Sequence, residues 1–274
     1  MSLTNKIDFA VAFKVKNANP NGDPLNGNRP RSNYERIGEV SDVCIKRKIR
    51  NRLMEDGKAI FVQSDDNKLD ECKNLRERAE TVLKPKESSD VNAKLACDKW
   101  FDVRAFGQVF AYGGDTKGAG VSIGVRGPVS IHTAFSLSPV EITSTQITKS
   151  VSGEGDGTKK GSDTMGMKHR VDEGIYVFYG SMNPQLARKT GFSDDDAETI
   201  KKILPKLFEN DASSARPEGS MEVLNVLWWQ HNSAHGQYSS AKVHRSLSVN
   251  LDGSLDFKKI ESLSGLKPEI INGF

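Results

Sequence analysis

The chain is poor in the features that mark several large classes of protein. It has only 3 cysteines, Cys44, Cys72 and Cys97, odd in number and far apart, with no Cys-x-x-Cys pair. This argues against a disulfide framework and a cysteine-based zinc site, and makes a reducing cytoplasm the expected compartment. Apolar runs are short: none approaches the roughly 20 residues that span a bilayer. Residues 1–8 offer neither the basic nor the apolar region of a secretory leader, so no membrane partner is expected. A dominant charge is also missing, since 39 Lys and Arg face 36 Asp and Glu for a net +3, which by itself names no ligand. Hydrophobic residues are 36% of the chain, while 24 glycines and 27% charged residues point to one core with sizeable solvated insertions.

What is present begins with alternation. Ile7, Phe9, Val11, Phe13 and Val15 are apolar at every second position, with Asp8, Lys14 and Lys16 among the residues between, the period of a strand. Asn, Gly and Pro residues then crowd positions 17–27 and predict a polar loop. Ser41 or Asp42 caps a helix in which Ile45, Ile49 and Leu53 recur every fourth residue until Gly57 stops it. Residues 58–120 read as a mainly helical insertion, with candidate helices over 69–83 and 91–100. Strands are predicted over 121–125 and 129–137, then 175–179, with further candidates at 221–229 and 243–251. Ser193 and Asp194, Asp195 and Asp196 open another helix, complementing its dipole. The order is βαββαβ, an α+β arrangement of the ferredoxin-like or RRM-like kind.

Catalytic signatures are weak. Of the five histidines, only His231 and His235 stand at helical ligand spacing, and they lack the Glu of an HExxH motif. The glycines at 113–124 do not have P-loop order, and there is no GxSxG. Asp23 is the one carboxylate in a suggestive place, a polar loop at the end of the first strand, where Gly-Asp-Pro also reads simply as a turn. No metal or other cofactor is expected.

Signals for nucleic acid are stronger. Residues 29–52 hold eight basic and three acidic side chains, a local net +5 hidden by the chain's small total. On the capped helix, Lys46, Arg47 and Arg50 share one flank and Lys48 and Arg52 the other. Cations so placed neutralise neighbouring phosphates and release counterions, although a charged flank can equally be a solvated helix face. Residues 143–174 are nearly devoid of apolar side chains and cannot form a core. They add Lys159, Lys160, Lys168, His169 and Arg170, with Met165 and Met167 available as apolar wedges between bases, or else form an incidental linker.

Four spaced motifs carry a resemblance: Asn19-Pro-Asn-Gly-Asp-Pro24, Ser41-Asp-Val-Cys-Ile-Lys-Arg-Lys-Ile-Arg-Asn51, Phe101-Asp-Val-Arg-Ala-Phe-Gly107 and Val125-Arg-Gly-Pro-Val129. Over nearly its whole length the chain resembles the backbone subunits of CRISPR type I-C Cascade surveillance complexes, of the RAMP superfamily. The resemblance implies an RRM-like palm in three parts (1–57, 121–142 and 175–274), a helical insertion (58–120) and a long thumb loop or hairpin (143–174). It implies head-to-tail copies stacked on one CRISPR RNA, target DNA engaged through guide pairing, and other Cascade subunits as partners. Ser41, Lys46, Arg47 and Arg50 would hold guide phosphates, Asn19 and Asn21 would line the same path, and Arg104, Phe106 and Gly107 are further transfers. Related type III backbone subunits cut target RNA with a palm-loop Asp, so a metal-dependent RNA endonuclease using Asp23 is the alternative. A non-catalytic RNA-binding subunit is the expected function.

Overall fold

The structure is a computed structural model that describes residues 1–84, 86–112, 121–149, 165–260 and 263–274. Lys159, Lys160 and the glycine-rich residues 113–120 lie outside these. The elements in chain order begin with β1 (Ile7–Ala18), β2 (Gly22–Asp23), β3 (Arg29–Pro30), β4 (Ile37–Val40) and α1 (Asp42–Glu55). The insertion follows as α2 (Leu75–Glu80), α3 (Ser89–Lys99), α4 (Phe101–Phe106), β5 (Gly107–Tyr112) and β6 (Val121–Arg126). Then come β7 (Val129–Ile131), β8 (Ala134–Pro139), β9 (Ile142–Thr148), β10 (Met165–Met182), α5 (Pro184–Thr190) and α6 (Asp194–Ile203). The chain closes with β11 (Met221–Gln230), α7 (Ser240–Ser246), α8 (Phe257–Ile260) and β12 (Glu269–Asn272).

An eight-stranded sheet organises the molecule, with its main path running β12-β11-β1-β10-β8-β4 while β7 and β9 also pair with β10. If β1, β8, β10 and β11 are taken as the four strands of a βαββαβ unit, they lie side by side as fourth, first, third, second. The α+β, RRM-like reading therefore holds, with α1 and α6 as the two helices. Ile45, Ile49 and Leu53 of α1 and Ile200 and Ile203 of α6 join Phe9, Val11, Phe13 and Val15 in one core. Gly180 lies opposite Phe9 in the ladder, and a Cβ there would meet the Phe9 ring at 2.2 Å, so glycine makes room for the Phe9–Trp228 stack at 5.5 Å.

The other face of β1 departs from the expected polar exterior. Asp8, Ala10 and Ala12 are fully buried because Val243, Ile260, Leu263 and Leu266 close over that side with Trp229. Residues 243–246, expected to begin a strand over 243–251, lie in α7 (Ser240–Ser246) instead. The helix follows an N-cap at Ser239, whose side chain accepts from Lys242 N. Asp8 is tolerated there because it is partnered: His231 Nε2 lies 2.9 Å away and Lys6 Nζ 3.1 Å away. Gln237 N donates to His231 Nδ1, so the proton of a neutral ring sits on Nε2, facing the carboxylate. Burial raises the Asp8 pKa, but hydrogen bonds from His231 and Ser240 and the charge of Lys6 outweigh it and hold the group below its ordinary value. His231 is thus a core histidine, while His235 meets Gln185.

The insertion has a core of its own, in which Phe61 lies 4.8 Å from Trp100 and 5.0 Å from Phe110. Only 75–80 of the expected 69–83 helix is helical, and the second candidate starts two residues early at Ser89. Residues 121–126, expected among the palm strands, pair with β5 in a separate two-stranded ribbon. Residues 129–137 divide between β7 and β8. The polar stretch is a hairpin in its described parts: β9 pairs with the first half of β10 from Val171↔Ile142 out to Met165↔Thr148, while the second half of β10 enters the palm sheet.

Candidate nucleic-acid interface

The end of β1 and the start of α1 are knitted together. Asn21 Oδ1 accepts from both Ser41 N and Ser41 Oγ at 2.9 Å, and Ser41 Oγ caps α1 by accepting from Cys44 N at 3.3 Å. Asn19 Nδ2 donates to Asn28 O at 2.7 Å, and its backbone N donates to Ala215 O at 2.8 Å. The structure therefore joins Asn21 directly to Ser41, whereas Asn19, near the end of β1, is tied instead to Asn28 and Ala215. Asp23 sits in the same loop as a cap, accepting from Leu25 N at 3.3 Å with Arg31 Nη2 3.5 Å away. Among the described residues, no group of three or more His, Cys, Asp or Glu is placed to hold a metal ion.

The basic flank of α1 is divided by its partners. Lys46 pairs with Asp42 at 3.0 Å, one helical turn back. Arg50 Nε meets Asp102 at 2.9 Å, and its guanidinium lies 5.2 Å over the Phe106 ring. Asp102 is 1% exposed and also accepts from Phe61 N at 2.7 Å and Val62 N at 3.1 Å, so this carboxylate ties α1, α4 and the insertion into one joint. On the opposite flank Lys48 is buried against Asp211, with burial pulling its pKa down and Asp211 opposing, and Arg52 pairs with Glu55. Of the three cations among the four expected phosphate ligands, Arg47 alone is exposed and has no carboxylate partner among the described residues.

The 101–107 motif serves the joint. Arg104 grips Asp196 through Nε at 2.9 Å and Nη2 at 2.7 Å and stacks over Phe101 at 4.6 Å. That fastens α4 to the N-terminal turn of α6, where Asp196 completes a capping box with Ser193. Gly107 has φ +83°, and a Cβ there would lie 2.4 Å from Val125 O, so the ribbon can cross here only through glycine. Phe106 meets Arg50, whereas Arg104 is kept apart at Asp196.

The hairpin sorts its candidate residues by face, because side chains alternate along a strand. Met165, Met167 and His169 share one face, with Thr148, Gln146 and Ser144 opposite them in the ladder. Lys168 and Arg170 point to the other face, where Arg170 pairs with Asp172 at 3.2 Å. Met165 is 65% and Met167 55% exposed, so neither packs into the core. A residue outside the motifs joins this group: Arg29 Nη1 donates to Ser144 Oγ at 3.0 Å, and His169 Nδ1 is 2.8 Å from the same oxygen. Sequence counted Arg29 in the basic segment, but its partner is 115 residues away and no local signal links them. Asp102 was missed for a similar reason, since an acid in a basic motif gives no hint of what it holds.

The family model described as "CRISPR-associated protein Cas7" matches residues 5–267. The chain belongs to the Cas7 family. A Cas7 relative from Haloferax volcanii, a "CRISPR-associated protein Cas7", is 24% identical over 287 residues, covering 99% of this chain and 82% of the relative. Among solved structures, a chain of a "CRISPR RNA-guided surveillance complex, pre-nicking" superposes with a TM-score of 0.50 at 16% identity, over 82% of this chain and 75% of that one. The latter is a likeness of fold, in agreement with the palm and helices described above. Among the described residues no helix is long and apolar enough to cross a membrane.

Proposed function

We propose that this Cas7 family chain is the guide-binding backbone subunit of a type I-C CRISPR surveillance complex. Copies stack head to tail along one CRISPR RNA in the cytoplasm, together with other Cascade subunits, and hold the spacer for pairing with target DNA. Its contribution is sequence-independent: cations neutralise guide phosphates and the hairpin displaces bases, while pairing reads the sequence. The observation that carries this reading is the hairpin of β9 and β10, a two-stranded arm with exposed methionines that leaves the palm sheet beside β3, where Arg29 meets Ser144. Such an arm has no core to build, and two apolar tips on a basic ribbon suit insertion into a stacked strand. The type I-C assignment rests on the four spaced motifs. The subunit acts without catalysis in this reading, which is supported by Asp23 being engaged with its own turn and with Arg31.

Native mass measurement of the protein co-expressed with guides of increasing length tests the assembly. Mass rising stepwise with RNA length is expected; a fixed dimer irrespective of guide, or protein free of RNA, contradicts it. The same complex is expected to leave complementary RNA and DNA intact in Mg²⁺ or Mn²⁺. Cleavage that disappears in Asp23→Ala would establish the endonuclease alternative.

A further inference from the structure

We propose that Arg29, Ser144 and His169 form a phosphodiester-binding site at the root of the hairpin, which rests on the guide-binding reading above. The three residues come from β3, β9 and β10 and converge on one hydroxyl, with Arg29 Nη1 3.0 Å and His169 Nδ1 2.8 Å from Ser144 Oγ. Ser144 is exposed and the other two are half-buried, so the cluster is open to a ligand while its side chains are held in place. Arg29 has no carboxylate partner among the described residues, and its Nε and Nη2 donors make no hydrogen bond there. Its neighbours differ: Arg31 lies beside Asp23 and Arg36 is paired with Glu141. A guanidinium with unspent donors beside a hydroxyl and an imidazole matches the tetrahedral oxygens of a phosphodiester.

The rest of the same face identifies the ligand as a polynucleotide rather than an isolated anion. Met167 and Met165 follow His169 outward on the Ser144 side of the ribbon, spaced by roughly 7 Å per two residues. A cationic site at the root and polarizable apolar side chains beyond it repeat the order of a nucleotide, phosphate first and then base, with the thioethers placed to meet an aromatic base. An acidic peptide would satisfy Arg29 but leave the methionines in water. Lys168 and Arg170 are excluded from this site because alternation turns them to the opposite face.

The test uses the assembled complex loaded with guides that carry 2-aminopurine at successive positions, which brightens where a base is unstacked. The wild-type complex is expected to show recurrent bright positions. Arg29→Gln with Ser144→Ala is expected to remove them and to lower the slope of log affinity against log salt by about 0.7 per protomer, one phosphate contact on a single strand. His169→Gln, a milder change, is expected to dim them, and Arg36→Gln, at a cation already paired with Glu141, to preserve them. An unchanged slope and pattern in the Arg29 and Ser144 variant that still binds RNA overturns the site while leaving the guide-binding reading intact. Failure of the wild-type complex to bind RNA overturns both. Displacement of RNA from the wild type by polyglutamate, but not from the Arg29 variant, would assign the cluster to an acidic protein and overturn the phosphodiester.

Discussion

Helix α1 and the β9–β10 hairpin are both basic in sequence, yet they spend their charge in opposite ways. On α1, Lys46, Lys48, Arg50 and Arg52 each meet a carboxylate, and two of these cations are buried. At the hairpin Arg170 pairs with Asp172, but Lys168 and the cluster that Arg29 of β3 forms with Ser144 and His169 have no carboxylate partner among the described residues. A cation already neutralised inside the fold contributes to stability and releases few counterions to RNA. One left open contributes little to stability and is free for phosphate. The comparison therefore assigns α1 chiefly to architecture, with Arg47 as its outward exception, and the hairpin chiefly to binding.

The strongest way to break this comparison is at the Arg50–Asp102 joint. Arg50→Ala strips a buried carboxylate of its counter-charge while Phe61 N and Val62 N still hold it, and is expected to cost about 3 kcal/mol in urea unfolding. A loss below about 0.5 kcal/mol, the range of ordinary surface changes, would show that Arg50 is effectively solvated and available to RNA. Next in size is the hairpin itself. Replacing residues 145–168 with a short Gly/Ser turn removes exposed positions among the described residues, so stability should stay within about 1 kcal/mol while ordered assembly on RNA is lost. Unfolding of that variant would make the hairpin structural and cancel the contrast. The smallest stability effect is expected at Arg47, where Ala should change unfolding by no more than about 0.5 kcal/mol.

Much of the palm was legible in sequence because its signals are local. Alternation from Ile7 to Val15, the Ser41 cap, the Ile45, Ile49 and Leu53 stripe and the Ser193 start each lie within one element and survive into the structure. The failures are tertiary. Alternation identified the Asp8 side of β1 as polar, but the C-terminal segment covers it and His231 and Lys6 partner the carboxylate. Residues 243–251 suggested a strand, whereas Ser239 caps a helix over 240–246 that brings Val243 into one cluster with Ala10, Leu227 and Trp229. The basic flank of α1 was correctly placed on a helix, but nothing in the spacing of Lys46, Arg47 and Arg50 reveals that Asp102, 52 residues beyond Arg50, occupies one of them. The hairpin residues were grouped by proximity in sequence, and only the register with β9 separates Met165, Met167 and His169 from Lys168 and Arg170.

The division between occupied and open cations is tested most directly by the salt dependence of RNA binding in Arg47→Gln and Arg50→Gln, measured side by side under conditions where both are folded. The account predicts that Arg47→Gln lowers the log–log slope by about 0.7 per protomer, one phosphate on a single strand, while Arg50→Gln leaves the slope at its wild-type value. Equal losses of slope in the two variants, or a loss confined to Arg50→Gln, would contradict it.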